Sequence, residues 1–373
     1  MVKVFLICSG LGNVRRGYES FTEECFEALQ QEASLETFLF KGRGEPQKKE
    51  FVLPNLSRGL WLTKKLGKIF RQDPYFIEQF TFCVSLLPHI YQKRPDVIFF
   101  SDFSLGTMLW HLRRVFGLTY KLLFSNGAPN GPPFSRMDCV QHLTPTHYQI
   151  ALASGDSPSK HFFVPYGIKM SDRLEILSQN EKNALRSNLD LPCDRPILLS
   201  VAAINKSHKR IDYLIREVAR LPKPRPYLLM LGQIESESAE IVELANQLLE
   251  CDQFQIKTVA SHQISDYYQI ADAFVLASLS EGFGRVFLEA MSYGLPCIAH
   301  DYEVARFVLK DEGYFGDFEL VGSLASIIPQ VLTQNDENSK RNRHQSVYNR
   351  FGWNKLRSAY IEMIQHCTVK NIA

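Results

Sequence analysis

Short apolar, β-branched runs alternate along this chain with amphipathic stretches of helix length, and that alternation confines the fold to repeated βα units around parallel sheets. Two series are visible. The first opens with Val2–Cys8 as a strand, a loop around residues 10–17 and a helix near 19–32, followed by strands at 37–41, 97–101 and 122–125. The second has strands at Ile197–Val201, Tyr227–Leu231, 274–277 and 297–299, with helices near 212–220 and 236–249. Between them, Pro165 and Gly167 punctuate an apolar run and a polar segment continues to Pro196, which places a domain boundary. The expected domains are 1–165, completed by a C-terminal helix over 352–373, and 166–351. In that helix Trp353, Leu356, Tyr360, Met363 and Ile364 form one apolar face that something must cover.

Composition agrees with two cores and excludes several classes. The chain has 373 residues, 45% apolar and 22% charged, long enough for about two domains. Its 42 basic and 40 acidic side chains give a net charge of +2, without the basic excess of a nucleic-acid-binding protein. No apolar run approaches the roughly 18 residues of a membrane span. The run Val2–Cys8 is too short for a signal peptide and leads into a glycine loop, so a cytoplasmic location is expected. The eight cysteines are dispersed without a zinc-ligand pair and read as small core residues.

The segment from Ser280 to Pro296 carries the most chemistry. Gly294 and Pro296 stop a helix that begins near Gly284, leaving Glu281 in the loop before it and Glu289 on it. Gly282 and Gly284 let backbone N–H groups approach a ligand at a helix N-terminus, at the carboxyl end of a parallel strand where α/β folds bind anions. A carboxylate accepts two hydroxyl hydrogen bonds at once, so two glutamates eight residues apart suit a sugar and a ribose.

This segment resembles the E-x7-E signature of retaining glycosyltransferases of the GT-B fold, family 4-like, with Glu281 and Glu289 as its two glutamates. Residues 197–201 and 209–215 resemble the strand, basic loop and helix that open that family's donor domain, and 163–168 and 351–353 its linker and C-terminal segment. The resemblance implies two doubly wound, Rossmann-like α/β domains facing a central cleft, with a nucleotide-sugar held mainly by the second. It assigns Glu281 to the donor sugar, the amides of Gly282, Phe283 and Gly284 to its hydroxyls, Glu289 to the ribose and Lys209 to the diphosphate, with Arg285 counted among the donor-binding residues. The family's arginine partner to that lysine falls on Ala203, so Lys206 or Arg210 is expected to supply the second cation, against the plainer reading of solvated surface charge.

In the first domain the loop with Gly10, Gly12 and Gly17 departs from G-x-G-x-x-G, and no acidic residue ends the second strand, which disfavours a dinucleotide oxidoreductase. The resemblance makes Gly12 the phosphate-facing glycine. Arg15 and Arg16 are cations for the ligand or partners of Glu19 and Glu23. Asn126 stands where many members have a sugar-contacting histidine, and His142 is a further candidate contact, although a lone histidine is more often structural. Residues 58–71 form a basic stretch with Trp61, Leu62, Leu66, Ile69 and Phe70, read either as a surface helix with its apolar face in the core or as a helix that rests on anionic lipid.

The expected activity is retaining transfer of a sugar from a nucleotide-sugar to an acceptor hydroxyl, with no cofactor and no metal, since no DxD-like pair is present. A sugar-nucleotide epimerase or hydrolase of the same fold, and a non-catalytic nucleotide-sugar-binding protein, are the alternatives.

Overall fold

The computed structural model describes residues 1–14, 16–334 and 336–369. The chain forms two compact units, Met1–Lys169 with Phe351–Ala373, and Met170–Arg350. In the first, the apolar runs become β1 (Val2–Cys8), β2 (Leu35–Lys41), β3 (Glu50–Val52), β4 (Val97–Phe100), β5 (Lys121–Asn126), β6 (Cys139–His142) and β7 (His161–Phe163). They pair in parallel in the order β3-β2-β1-β4-β5-β6-β7. A parallel sheet is covered on both faces, which is why β4 reads Val-Ile-Phe-Phe with every residue buried. The connecting helices are α1 (Gly17–Leu29), α2 (Trp61–Phe70), α3 (Pro74–Lys93), α4 (Phe103–Val115) and α5 (Pro145–Ala153).

The second unit repeats the plan with β8 (Ile197–Val201), β9 (Tyr227–Leu231), β10 (Phe254–Lys257), β11 (Ala273–Leu276), β12 (Cys297–His300) and β13 (Gly313–Gly316). Their order is β10-β9-β8-β11-β12-β13, all parallel. Its helices are α6 (Gln179–Asn188), α7 (Ile211–Ala219), α8 (Ser238–Leu248), α9 (Ile264–Ile270), α10 (Arg285–Ser292), α11 (Glu303–Leu309), α12 (Ser323–Thr333) and α13 (Glu337–Phe351). In each sheet the chain starts at the centre and reverses direction beside its first strand. Such a reversal leaves a crevice at the carboxyl ends of the two strands that flank it, here β1 with β4 and β8 with β11.

The last helix, α14 (Trp353–Thr368), packs on the first unit. Its apolar face buries Trp353, Tyr360, Met363 and Ile364. Tyr360 donates to the Pro165 carbonyl at 2.8 Å and accepts from Gln141 at 2.9 Å, while the Trp353 ring stacks on Phe21 at 6.1 Å. Gly167 makes room for that indole, because a Cβ there would lie 2.5 Å from it.

The expectation that the apolar face of segment 58–71 turns into the core is not met. In α2 the buried residues are Thr63 and Gly67, and Trp61, Leu62, Ile69 and Phe70 are exposed. Periodicity marks a helix as amphipathic without saying which face meets the protein. Among the described residues no helix is long and apolar enough to cross a membrane.

Candidate active site

The loop after β8 is built around one asparagine. Asn205 is buried, and its Oδ1 accepts the backbone N–H of Lys209 at 2.8 Å and of His208 at 3.2 Å, while its Nδ2 donates to Glu235 at 2.8 Å. The Asn205 carbonyl also accepts the N–H of Ile211, which closes the loop onto α7. Arg210 pays for this turn with a left-handed backbone, φ 49°. The result is a short, fixed loop that presents Lys209.

Across the sheet reversal, the loop after β11 presents Glu281. Lys209 Nζ lies 2.5 Å from Glu281 Oε1, an ion pair that is only partly exposed. Three residues on, Gly284 caps α10 with φ +72°, a conformation that costs an L-residue roughly 1–2 kcal/mol. Its left-handed turn aims the N-terminal amides of α10 out of the sheet edge, where their partial positive charge favours an anion. Phe283 is buried beneath the loop and Gly282 is half-buried.

One and a half turns into α10, Glu289 accepts from Tyr268 Oη at 3.1 Å and lies 3.4 Å from the buried Arg285. Tyr268 stacks on Tyr293 with the rings 8° from parallel. Burial, and then the Glu289 carboxylate, push the Tyr268 phenol well above its usual range, so it stays a hydrogen-bond donor to Glu289. Tyr302 is pushed up by burial and by Glu281. Neither Asn205 nor these tyrosines stood out in the sequence, because no motif spacing links them to the glutamates.

Lys206 and Arg210, expected as replacements for the cation missing at Ala203, are engaged elsewhere. Lys206 is exposed and pairs with Glu240 on α8. Arg210 donates to the Phe318 carbonyl at 2.8 Å and lies over the Tyr213 ring. Among the described residues of this loop, Lys209 is the cation that pairs with Glu281.

In the first unit, the glycine at position 12 has φ +87°, and a Cβ there would lie 2.1 Å from the Arg43 carbonyl oxygen, so the neighbouring backbone is what demands glycine. Arg15 lies outside the described residues. Arg16 is exposed and caps α1, its N–H donating to Glu19 at 3.2 Å. Asn126 is buried and ties its own loop, accepting the Asn130 N–H at 2.8 Å and donating to the Asn130 carbonyl at 3.0 Å.

His142 requires a correction. Its ring is wholly buried, with Nε2 3.0 Å from His161 Nδ1 and Phe134 against it, so it is a core histidine and not a sugar contact. Burial, then His161 and His147, push its pKa down to about 3.

A polar cluster that sequence reasoning missed occupies the carboxyl edge of β1 and β4. Arg58 grips Glu78 through Nε at 3.0 Å and Nη2 at 2.8 Å, and its guanidinium lies 3.8 Å above the Tyr75 ring. Ser9 donates to Glu78 at 3.2 Å, and Tyr75 donates to Asp102. Burial holds the Glu19 and Asp102 carboxyls above their ordinary range. Arg58 therefore belongs to this cluster, not to the basic surface that follows it.

The chain is similar to sucrose-phosphate synthase from Thermosynechococcus elongatus, TM-score 0.79 at 19% identity over 98% of each chain. It is also similar to Anabaena HepE in complex with UDP and glucose, TM-score 0.76 at 14% identity over 98% of this chain and 100% of that one. The fold is GT-B, two parallel-sheet α/β units. Residues 181–349, which hold Lys209, Glu281 and Glu289, match the family described as Glycosyl transferases group 1. Relatives include alpha-monoglucosyldiacylglycerol synthase of Streptococcus pneumoniae, 25% identical over 209 residues, 54% of this chain and 47% of the relative. D-inositol 3-phosphate glycosyltransferase of Streptosporangium roseum is 30% identical over 180 residues, 45% of this chain and 40% of the relative. The chain spans half or less of the length of these curated relatives.

Proposed function

We propose that the chain transfers a sugar from a nucleoside-diphosphate sugar to an acceptor hydroxyl, with retention of the anomeric configuration. The observation that carries this reading is the Lys209–Glu281 pair beside the N-terminus of α10, at the reversal of the second sheet. The likeness to HepE, which was crystallised with UDP and glucose, supports a nucleotide-sugar donor.

The chemistry follows from placement. Breaking the glycosidic bond puts negative charge on the leaving diphosphate, and Lys209 with the α10 amides stands where that charge can be met without a metal. Glu281 then exchanges part of its bond to Lys209 for the donor's sugar hydroxyls, and Glu289, held by Tyr268, accepts from the ribose. On the retaining reading the leaving phosphate takes the acceptor's proton, so no separate base is required.

Transfer and donor hydrolysis measured for Lys209→Ala and Glu281→Ala test the assignment. Loss of one charge-assisted contact, worth about 1.5–3 kcal/mol, should slow transfer roughly tenfold to a hundredfold. Wild-type rates in both variants would sink it. Product anomer determined by NMR decides retention, and undiminished transfer in EDTA is expected if no metal takes part.

A further inference from the structure

Helix α2 packs through its smallest residues. Thr63 and Gly67, four apart, are its buried positions, and a Cβ at Gly67 would lie 2.7 Å from the Gln72 carbonyl oxygen and 3.5 Å from Pro74. The outward face carries what a soluble surface rarely collects. Trp61 is 73% exposed, Ile69 63% and Phe70 66%, with Leu60 and Leu62 also exposed. On α3, Phe76, Phe80 and Val84 continue exposed at four-residue spacing.

Cations are interleaved with these side chains. Lys64, Lys65, Lys68 and Arg71 are all exposed, and no acidic residue occurs between Arg58 and Gln72. The Lys65 ammonium stands 5.1 Å over the Trp61 ring. In a chain of net charge +2, this is a local concentration of one sign.

We propose that this surface docks on an anionic lipid bilayer. Trp61, Ile69 and Phe70 enter the boundary between headgroups and acyl chains, and the lysines and Arg71 meet the lipid phosphates. Two features favour lipid over a protein partner. Protein interfaces are depleted in lysine, yet lysine supplies three of the four cations here. Lysine is a mobile point charge suited to a diffuse anionic plane, whereas carboxylate recognition favours the arginine fork.

Flotation of the full chain with vesicles of equal parts phosphatidylcholine and phosphatidylglycerol, against phosphatidylcholine alone, is the test. Recovery with the anionic vesicles is expected, falling when salt shortens the Debye length to about 3 Å. The double variants Trp61→Ser/Ile69→Ser and Lys64→Glu/Lys68→Glu should each bind at least tenfold more weakly, with unchanged thermal melts because all four side chains are exposed. Absence of binding, or equal recovery with both vesicles, overturns the proposal. Self-association without vesicles that Trp61→Ser abolishes also overturns it, in favour of a second copy of the chain. The readout is lipid partition, so it stands or falls independently of sugar transfer.

Discussion

A carboxylate with no exposed surface persists only where its charge is met, and Glu78 is met by both nitrogens of the Arg58 fork and by the Ser9 hydroxyl. Removing one partner of such a pair leaves an uncompensated buried charge, which costs more than the intact pair contributes. Arg58→Ala should therefore destabilise the first unit by about 3 kcal/mol. Arg58→Met with Glu78→Gln, which removes both charges, should recover most of that loss. Denaturant unfolding of the two variants checks this, and equal destabilisation by both would contradict it. The pair was invisible in the sequence for a plain reason. Arg58 reads as the first cation of a basic run, and Glu78 lies twenty residues away inside an apolar helix, so their meeting is a tertiary event with no local signature.

At the scale of elements, the turn at Gly284 decides where α10 begins. An added methyl would have to sit at φ +72° and 2.8 Å from the Phe287 ring, so Gly284→Ala must distort the cap or move the phenylalanine. The expected result is a modest loss of stability, about 1–2 kcal/mol. Donor binding should weaken at least tenfold, read as a lost thermal shift with nucleotide-sugar; unchanged binding would separate the α10 N-terminus from the donor site. How far elements were legible follows from their burial. The strands β1, β8 and β9 have the same bounds in sequence and structure, because inner strands of a parallel sheet are nearly continuous apolar runs, interrupted here only by Lys3 and Ser200. β6 and the edge strand β13 escaped notice, β6 because its four buried residues, Cys-Val-Gln-His, form no apolar run, and so did the edge strands β3 and β10. They have three and four residues and are only half-buried, so they carry polar side chains and no clear period. Lys209 and Glu281 were found through a motif, but the positions of Lys206 and Arg210 depend on Glu240 and Phe318, distant partners that loop composition cannot reveal.

For the whole molecule, each unit has its own core, one built around Phe5, Phe82 and Leu122, the other around Leu198, Leu214 and Ile298. Ligand and pH should thus act on different cores. A nucleotide-sugar at one hundred times its dissociation constant stabilises the unit that binds it by about 2.7 kcal/mol. Acid acts on the first unit through His142. Its pKa is about 3 when folded and roughly 6.5 when unfolded. Above pH 6.5 the ring is neutral in both states and its contribution is fully present. Below that pH the unfolded chain takes up a proton that the folded unit refuses, so stability falls as pH drops toward 3. Between pH 6.5 and 5 the loss is up to about 2 kcal/mol. Glu19 and Asp102, whose carboxyls are raised in the fold, work in the opposite direction as they protonate. The total pH profile therefore mixes signs, and the informative quantity is a difference. His142→Asn should be less stable than the wild type at pH 7, and the gap between them should narrow by up to about 2 kcal/mol at pH 5, because the variant no longer carries this proton linkage. Parallel denaturant titrations at the two pH values measure it. A gap that stays constant would mean that the buried ring is not the group through which acid loosens the first unit.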